Sequence, residues 1–240
     1  MQNYEQIFNR RGKSYQLAME KYPHARDEEF KTAVRKLILK PNSAVLDIPA
    51  GGGYLASYLL NKNVHYLGYD FSGEFDDNHT GIRKCKEASI DLEKNSVDEV
   101  VSLAALHHIS EREAFYSEMY RVLKPGGQLI IGDVASGSKL EYFLNGFLDS
   151  WNSMGHQGKF LKESDIIELR QSGFRVDKQE EVYAWRFANA NEAMDYFRLL
   201  FCLDLNPTDR ELLKALKNLG VKEENGFSVS WGLTFLICQK

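Results

Sequence analysis

The amino-acid sequence predicts an α/β fold in which helices cover both faces of one doubly wound, mostly parallel sheet. Two observations support this prediction. Apolar stretches of strand length alternate with helix-like stretches over residues 44–134, and this alternation is typical of parallel strands joined by crossover helices. Three glycines, Gly51–Gly53, directly follow the first apolar strand, and they allow backbone angles and a close ligand approach that side chains would prevent.

Composition limits the classes of protein that this sequence can encode. The 240 residues, 43% of them hydrophobic, predict one domain with additions. A net charge of −4 argues against nucleic acid as the main partner. The three cysteines are an odd number at wide spacing, which favours free thiols in a reducing compartment. There is no signal-like start and no apolar run of the ~20 residues that span a bilayer, so we expect a cytoplasmic protein without a membrane partner. The oligomeric state stays open.

The N-terminal segment, residues 1–43, is predicted to be a helical lid that precedes the main domain, residues 44–240. Four apolar residues at helical spacing predict a helix that Pro41 ends: Phe30, Val34, Leu37 and Ile38. Earlier aromatic residues show no clear period: Tyr4, Phe8, Tyr15 and Tyr22. Two interpretations of these aromatics remain open, ordinary packing against the domain and coverage of a bound substrate.

The glycine turn is predicted to lead into a helix and then into a second strand. One face of that helix is marked by Leu55, Ala56, Leu59 and Leu60. The second strand, Val64–Asp70, ends in an acid beside the glycine turn. A carboxylate there accepts the ribose hydroxyls of a bound nucleoside, although it can also cap a turn.

Further strands and helices alternate up to residue 134. The predicted elements are a short strand Arg83–Glu87, a strand Val97–Leu106, a helix opened by a capping box at Ser110–Glu113, and a strand Gln128–Val134. The helix places Phe115, Met119 and Val122 inward. Lys124–Gly127 ends it sharply.

The rest of the chain departs from simple alternation. Its predicted elements are a helix Lys139–Ser153, a short helix capped by Ser164, a strand from Phe174 to about Phe187, a helical insertion over about 188–225, and a last strand Phe227–Cys238. The last strand is expected to run antiparallel to the strand from Phe174, which makes seven strands in all. An aromatic set from these segments is either core or the wall of an acceptor pocket: Phe143, Phe147, Trp151, Trp185, Phe187, Tyr196 and Phe197.

Two classes of cofactor suit the glycine turn. The spacing Gly51-x-Gly53-x-x-Ala56, with Asp70 downstream, matches the dinucleotide fingerprint of a nicotinamide-dependent oxidoreductase. Other segments point elsewhere. Asp47–Gly53, the strand end at Asp70, Asn95–Ile109 and above all Arg121–Leu129, with its Leu-Lys-Pro-Gly-Gly helix stop, together resemble the class I S-adenosylmethionine-dependent methyltransferases of the small-molecule type.

The resemblance implies a Rossmann-like fold, S-adenosylmethionine as cofactor, S-adenosylhomocysteine as product, and methyl transfer to an O, N or C atom of a small molecule. The cofactor-binding residues it implies are Asp47, Pro49, Ala50, Gly51, Gly53, Asp70, Phe71, Glu87, Ala88, Ala104 and Leu106. Asp47 would organise the methionyl end, Asp70 the ribose and Phe71 the adenine. Glu87 would be the adenine acid, with Asp91 as its rival. Pro49 replaces the family's first glycine, and its carbonyl can still serve the cofactor.

Candidate catalytic residues follow the fourth and fifth strands: His107, His108 and Asp133. A histidine is a suitable general base near neutral pH, whereas the alternative is that these histidines only pack near the cofactor and that Asp133 caps a loop. No metal site is expected, because no acid or thiol stands at ligand spacing beside the histidines. A protein that binds S-adenosylmethionine without transferring methyl remains a further alternative.

Overall fold

A computed structural model describes residues 3–75 and 81–240 of the chain. Its centre is a single mixed sheet. The strands are β1 Ala44–Asp47, β2 His65–Asp70, β3 Arg83–Lys84, β4 Val97–Leu103, β5 Leu123–Asp133, β6 Arg175–Phe187, β7 Val221–Lys222 and β8 Phe227–Gln239. Seven strands lie side by side in the order β3-β2-β1-β4-β5-β8-β6, and the two-residue β7 pairs with β8.

The strand directions confirm the predicted topology. Strands β1 to β5 pair in parallel, whereas β8 runs antiparallel to both β5 and β6. Because β8 lies between β5 and β6, its apolar residues are buried on both faces, as Phe235 and Leu236 are. This explains why the last strand changes from alternating to continuously apolar.

Helices cover both faces of the sheet. The α-helices are α1 Tyr4–Lys21, α2 Asp27–Arg35, α3 Arg112–Val122, α4 Lys139–Tyr142, α5 Asp149–Trp151, α6 Glu163–Gln171, α7 Ala190–Leu200 and α8 Asp209–Leu219. A π-helix, Phe143–Leu148, joins α4 to α5, so the predicted helix over this region is helical with a π turn at its centre. In the described residues, none of the helices is both long and apolar enough to cross a bilayer.

The helix predicted after the glycine turn is wrong in type and in extent. The segment is a 3-10 helix, Tyr54–Tyr58, and Leu60 is 79% exposed rather than part of a buried face. The return to β2 passes through Asn63, which has a left-handed backbone with a φ of 50°. Since few residues separate Gly53 from β2, the chain turns back before a longer helix can form.

Two predicted helix starts and one predicted strand end also differ from the structure. Helix α3 begins at Arg112 without a side-chain cap, because the Ser110 hydroxyl donates to Glu87 Oε2 at 3.4 Å instead. The N-cap of α6 is Lys162, not Ser164. Strand β4 ends at Leu103, and residues 106–108 form a 3-10 turn. Helix α8, in contrast, begins with a formed capping box between Thr208 and Glu211.

Helix α1 has a helical period that the sequence prediction missed. Tyr4, Phe8, Arg11 and Tyr15 lie at i, i+4, i+7 and i+11, so they share one face of the helix. Arg11 interrupts the apolar pattern and hides the period, yet it is only 4% exposed. This face of α1 lies over the carboxyl ends of the central strands.

Candidate functional site

The candidate site lies where the parallel strands β1, β2, β4 and β5 end. Asp47 is the last residue of β1, Asp70 of β2 and Asp133 of β5, and the segment from Ala104 follows β4. All three acids are buried. In doubly wound sheets ligands bind at this edge, so the fold brings the predicted site residues of four segments to one side of the sheet.

The glycine turn adopts the backbone for which its glycines are required. Gly51 and Gly53 have left-handed φ angles of 54° and 76°. A Cβ atom on Gly52 would lie 2.7 Å from the ring of Tyr54. The turn therefore admits no side chain at its tip, and it forms one wall of a cavity.

This first cavity, called here the cofactor cavity, lies between the glycine turn and α1. Five predicted residues line it: Asp47, Pro49, Ala50, Gly51 and Ala104. Aromatic side chains of α1 close it from the other side, and its volume is about 50 Å³. Ligand pockets typically measure about 300–1,000 Å³, so with α1 in this position the cofactor cavity is much smaller than a typical ligand pocket.

Asp47 is a buried acid at the floor of the cofactor cavity. It is 4% exposed and accepts a hydrogen bond of 2.8 Å from the Tyr66 hydroxyl. Burial raises the pKa of Asp47 to about 7, an effect that the Tyr66 hydrogen bond opposes and the nearby Asp70 reinforces. The carboxylate thus gains most from a cationic ligand group.

Asp70 is fully buried and already has hydrogen-bond donors. Its Oδ2 accepts from the Tyr4 hydroxyl at 2.9 Å and from the Gly51 N–H at 2.8 Å, and its Oδ1 accepts from the Ser72 N–H at 2.7 Å. Burial raises the pKa of Asp70 to about 6 despite these bonds, which lower it. Tyr4 of α1 therefore occupies one of the acceptor positions of this carboxylate.

The remaining predicted cofactor residues lie around this cavity without being among its described lining. Phe71 and Leu106 are buried in the core, and Phe71 packs edge-on against Tyr4 with ring centroids 5.3 Å apart. Glu87 faces Ser110, and Ala88 is exposed. Gly53 starts the 3-10 helix, and the rival Asp91 is exposed with its carbonyl 3.4 Å from the Tyr69 hydroxyl.

The three predicted catalytic residues meet at the end of β4 and β5. His107 Nδ1 lies 2.7 Å from Asp133 Oδ1, and the His107 N–H donates to Asp133 Oδ2 at 3.0 Å. The ring of His108 lies next to that of His107, with centroids 4.1 Å apart. Asp133 is fully buried, and the positive charge that His107 can carry keeps the pKa of this acid low despite its burial.

His156, which no sequence pattern singled out, joins this pair. One ring nitrogen from each of His107, His108 and His156 lies within 4.8 Å of the others. His156 Nδ1 lies 3.1 Å from Asn145 Oδ1. Burial, together with the neighbouring His107 and Arg11, lowers the pKa of both His108 and His156 well below the ordinary value, so both are neutral at pH 7.

A second cavity, called here the aromatic cavity, extends from the histidines toward the C-terminal half of the chain. It measures about 60 Å³, and its wall includes the indoles of Trp185 and Trp231, which stack with ring centroids 3.8 Å apart. Phe8, Tyr15, Arg26 and Ala104 line both cavities, which are therefore adjacent. Of the predicted aromatic set, Trp185 alone is among the residues that line the aromatic cavity in the described chain, whereas Tyr196 and Phe197 are core.

The chain is similar to known methyltransferases. A family model described as "Methyltransferase domain" matches residues 46–131. The probable tRNA methyltransferase 9B of Homo sapiens is 31% identical over 144 residues, which cover 56% of this chain and 31% of that protein. Phosphoethanolamine N-methyltransferase 1 of Arabidopsis thaliana is 29% identical over 191 residues, which cover 67% of this chain and 39% of that protein.

A solved structure shows the same fold over nearly the whole chain. A SAM-dependent methyltransferase of Thermotoga maritima superposes with a TM-score of 0.61 at 19% identity, covering 98% of this chain and 99% of that one. The chain spans less than half the length of the first curated relatives it matches. The relatives include tRNA and small-molecule methyltransferases, so the family alone leaves the acceptor class open.

Proposed function

We propose that the chain is a class I S-adenosylmethionine-dependent methyltransferase, as its methyltransferase-domain match indicates, and that it methylates a small molecule held in the aromatic cavity. One observation carries the proposal: the cofactor cavity and the aromatic cavity meet at Ala104, directly beside the His107–Asp133 pair. Ala104 itself has a left-handed φ of 53°. Strained backbone of this kind is concentrated at functional sites.

The cofactor cavity offers the groups that S-adenosylmethionine needs. Asp47 would pair with its ammonium group and Asp70 would accept from its ribose, while the Tyr54 hydroxyl, buried without a hydrogen-bond partner among the described residues, is a further polar group in the wall. When bound, the cofactor supplies an electrophilic methyl group on a sulfonium sulfur. Entry requires α1 to move and the Tyr4–Asp70 bond to break, so we propose that residues 1–43 act as a lid over the domain formed by residues 44–240.

The candidates for the adenine end of the cofactor come from the segments that follow β2, β3 and β4. Phe71, Ala88 and Leu106 stay candidates for its apolar surroundings, as Ala50 and Gly53 do for the methionyl end. Glu87 is the better acid for adenine than Asp91, since its side chain is partly buried beside Ser110 whereas Asp91 is exposed.

His107 is the proposed general base. A Nδ1–H that donates to Asp133 leaves Nε2 free to accept the acceptor's proton, and the Asp133 carboxylate stabilises the imidazolium that results. His108 is the weaker candidate, because burial and its neighbours keep its pKa low. His108 can still orient the acceptor as a neutral hydrogen-bond partner.

Enclosure of the site favours a small molecule over tRNA. The aromatic cavity is covered by α1, α7 and β8, and such buried, mostly apolar cavities suit small ligands. A net charge of −4 gives no general attraction for a polyanion. The tRNA methyltransferase relatives nevertheless make RNA the necessary competitor in a test.

The test incubates the purified chain with S-adenosylmethionine carrying a labelled methyl group, and with either a metabolite filtrate or total tRNA. We expect label in the small-molecule fraction, together with release of S-adenosylhomocysteine. Calorimetric titration with S-adenosylmethionine and with NAD(H) runs in parallel, and only the former should bind.

Three other results would each replace the proposal. Label in tRNA alone would assign an RNA acceptor. Cofactor binding without S-adenosylhomocysteine release from either pool would indicate a binding protein without methyl transfer. Binding of NAD(H) in place of S-adenosylmethionine would indicate an oxidoreductase.

A further inference from the structure

The aromatic cavity has buried hydrogen-bond donors without acceptors. Three residues of its wall carry a buried N–H group that has no hydrogen-bond partner in the part of the chain that the structure describes: Arg11 (Nε), Arg26 (Nε) and Trp231 (Nε1). A buried polar group without a partner costs free energy, and native structures contain few of them. Because all three groups are donors, a ligand that satisfies them must bring acceptor atoms.

The charge of Arg11 is also unbalanced. Its side chain lies on the inward face of α1 and is 4% exposed, yet within residues 3–75 and 81–240 it has no hydrogen-bond or ion-pair partner. Burial lowers the pKa of Arg11 to about 10, so it stays charged at pH 7. Asp204, the carboxylate that acts on it, is engaged by the N–H and hydroxyl of Ser153.

Arg26, the other arginine that lines the aromatic cavity, differs from Arg11 because its charge has a partner. Its guanidinium donates to the fully buried Glu29 and to the Tyr15 hydroxyl, and the Trp185 indole N–H donates to Glu29 at 2.8 Å. The Arg26 charge is therefore compensated within the protein. Among the arginines of the cavity, Arg11 is the one that lacks an anion.

We infer that the aromatic cavity recognises its methyl acceptor as a carboxylic acid, with one carboxylate on Arg11 and a flat apolar body against the Trp185–Trp231 stack. This inference rests on the proposed function and adds the chemical class of the acceptor. One uncompensated positive charge calls for a monoanion such as a carboxylate rather than a doubly charged phosphate. The indole N–H of Trp231 supplies a neutral donor to the same group.

A metal ion is the rival occupant of this region, because the nitrogens of His107, His108 and His156 converge and Asp133 would orient one of them. The electrostatics oppose it. Arg11 lies close enough to His108 and His156 to lower the pKa of both, and a divalent cation there would meet that same positive charge. An anion is attracted by it.

The experiment uses the full chain and three acid–amide pairs: formate and formamide, acetate and acetamide, benzoate and benzamide. Binding is followed by tryptophan fluorescence, since Trp185 and Trp231 line the cavity. We expect at least one acid to bind more tightly than its amide. Arg11→Met should weaken that acid by about 10–100-fold and leave the amide unchanged, as expected for loss of a charged hydrogen bond. Arg11→Lys should retain part of the preference.

The matched control is Arg10→Met, which removes an exposed arginine from the same helix and should change neither ligand. Trp231→Phe, which removes the indole N–H together with part of the ring that stacks on Trp185, tests the site if Arg11→Met does not fold, and it should weaken the acid more than its amide. Equal binding of acids and amides, or no binding by any acid, overturns the inference. Acid binding that requires added Zn²⁺ and survives Arg11→Met also overturns it, since the histidines would then hold the anion through a metal.

S-adenosylmethionine titration of the same samples separates the two proposals. If the cofactor binds and the acids do not, the acceptor class is wrong while the proposed function stands. If the cofactor does not bind either, the proposed function fails as well.

Discussion

The two adjoining cavities differ in the charge that they prefer. The cofactor cavity is lined by the buried Asp47, and the buried Asp70 accepts from Tyr4 and Gly51 of its wall; burial raises the pKa of both carboxyls, and neither has a cationic partner among the described residues. The aromatic cavity has the opposite imbalance, because Arg11 is buried without an anion. One helix reaches both, with Tyr4 on the acidic side and Arg11 on the basic side. If the proposals hold, the cofactor cavity selects a cationic ligand and the aromatic cavity selects an anionic one, so each ligand binds on its own side of Ala104.

The strongest test of the basic side concerns the proposed base. Asp133→Asn removes the charge that stabilises a protonated His107 while keeping the shape of the side chain. We expect kcat to fall by about 10²–10⁴-fold, with the affinity for S-adenosylmethionine unchanged, because the carboxylate acts on proton transfer and not on the cofactor. Release of S-adenosylhomocysteine with the acceptor from the labelling assay measures this.

Asp177→Asn is the matched control, since Asp177 is exposed on β6 far along the chain from the site, and it should leave kcat unchanged. Thermal unfolding of Asp133→Asn checks that the variant is folded. A folded Asp133→Asn protein with full activity would remove His107 from the role of base.

The acidic side is tested by Asp47→Asn. The amide can still accept the Tyr66 hydrogen bond, but it cannot neutralise an ammonium group. We expect the affinity for S-adenosylmethionine to fall by about 10–100-fold. In the wild type, affinity should fall about fivefold between pH 7 and pH 6, because a carboxyl with a pKa of about 7 becomes mostly protonated over this range. Two groups face this carboxyl: the Tyr66 hydroxyl lowers its pKa and Asp70 raises it, and the net pKa stays above the ordinary value. Affinity is therefore still expected to fall as the pH is lowered.

The same variant should be more stable than the wild type at alkaline pH. A carboxyl pKa raised from 3.8 to about 7 means that the folded state holds a proton which the unfolded state has lost. The free energy of unfolding therefore declines as pH rises from about 4 to 7. Above pH 7 it levels off, after a total loss of up to about 4 kcal/mol. Asp47→Asn removes this penalty, so denaturant unfolding should show a gain at pH 8 and none at pH 4. A loss of stability at pH 8 would contradict the burial argument.

The two cavities also differ in how far the sequence could predict them. Asp47, Gly51 and the strand end at Asp70 lie within one strand-turn-strand unit, so local pattern sufficed to place them. The aromatic cavity gathers Arg11, His156, Trp185 and Trp231 from segments that are distant in sequence, and only the tertiary fold brings them together. Arg11 could have been found, because the helical period through Tyr4, Phe8 and Tyr15 passes through it. His156 follows an irregular loop and carries no such signal.

The smallest expected effect belongs to the contact that α1 makes with the acidic side. Tyr4→Phe removes the hydroxyl that donates to Asp70 and keeps the ring that packs against Phe8 and Phe71. Asp70 retains its bonds from the Gly51 and Ser72 N–H groups, so the carboxyl stays hydrogen-bonded. Cofactor binding then no longer has to break the Tyr4 bond, and we expect affinity for S-adenosylmethionine to rise by about 3–10-fold in calorimetric titration. Tyr142→Phe, at an exposed tyrosine, is the matched control. Weaker cofactor binding by Tyr4→Phe would mean that the hydroxyl supports the bound cofactor, and α1 would then be part of the binding site rather than a competitor for it.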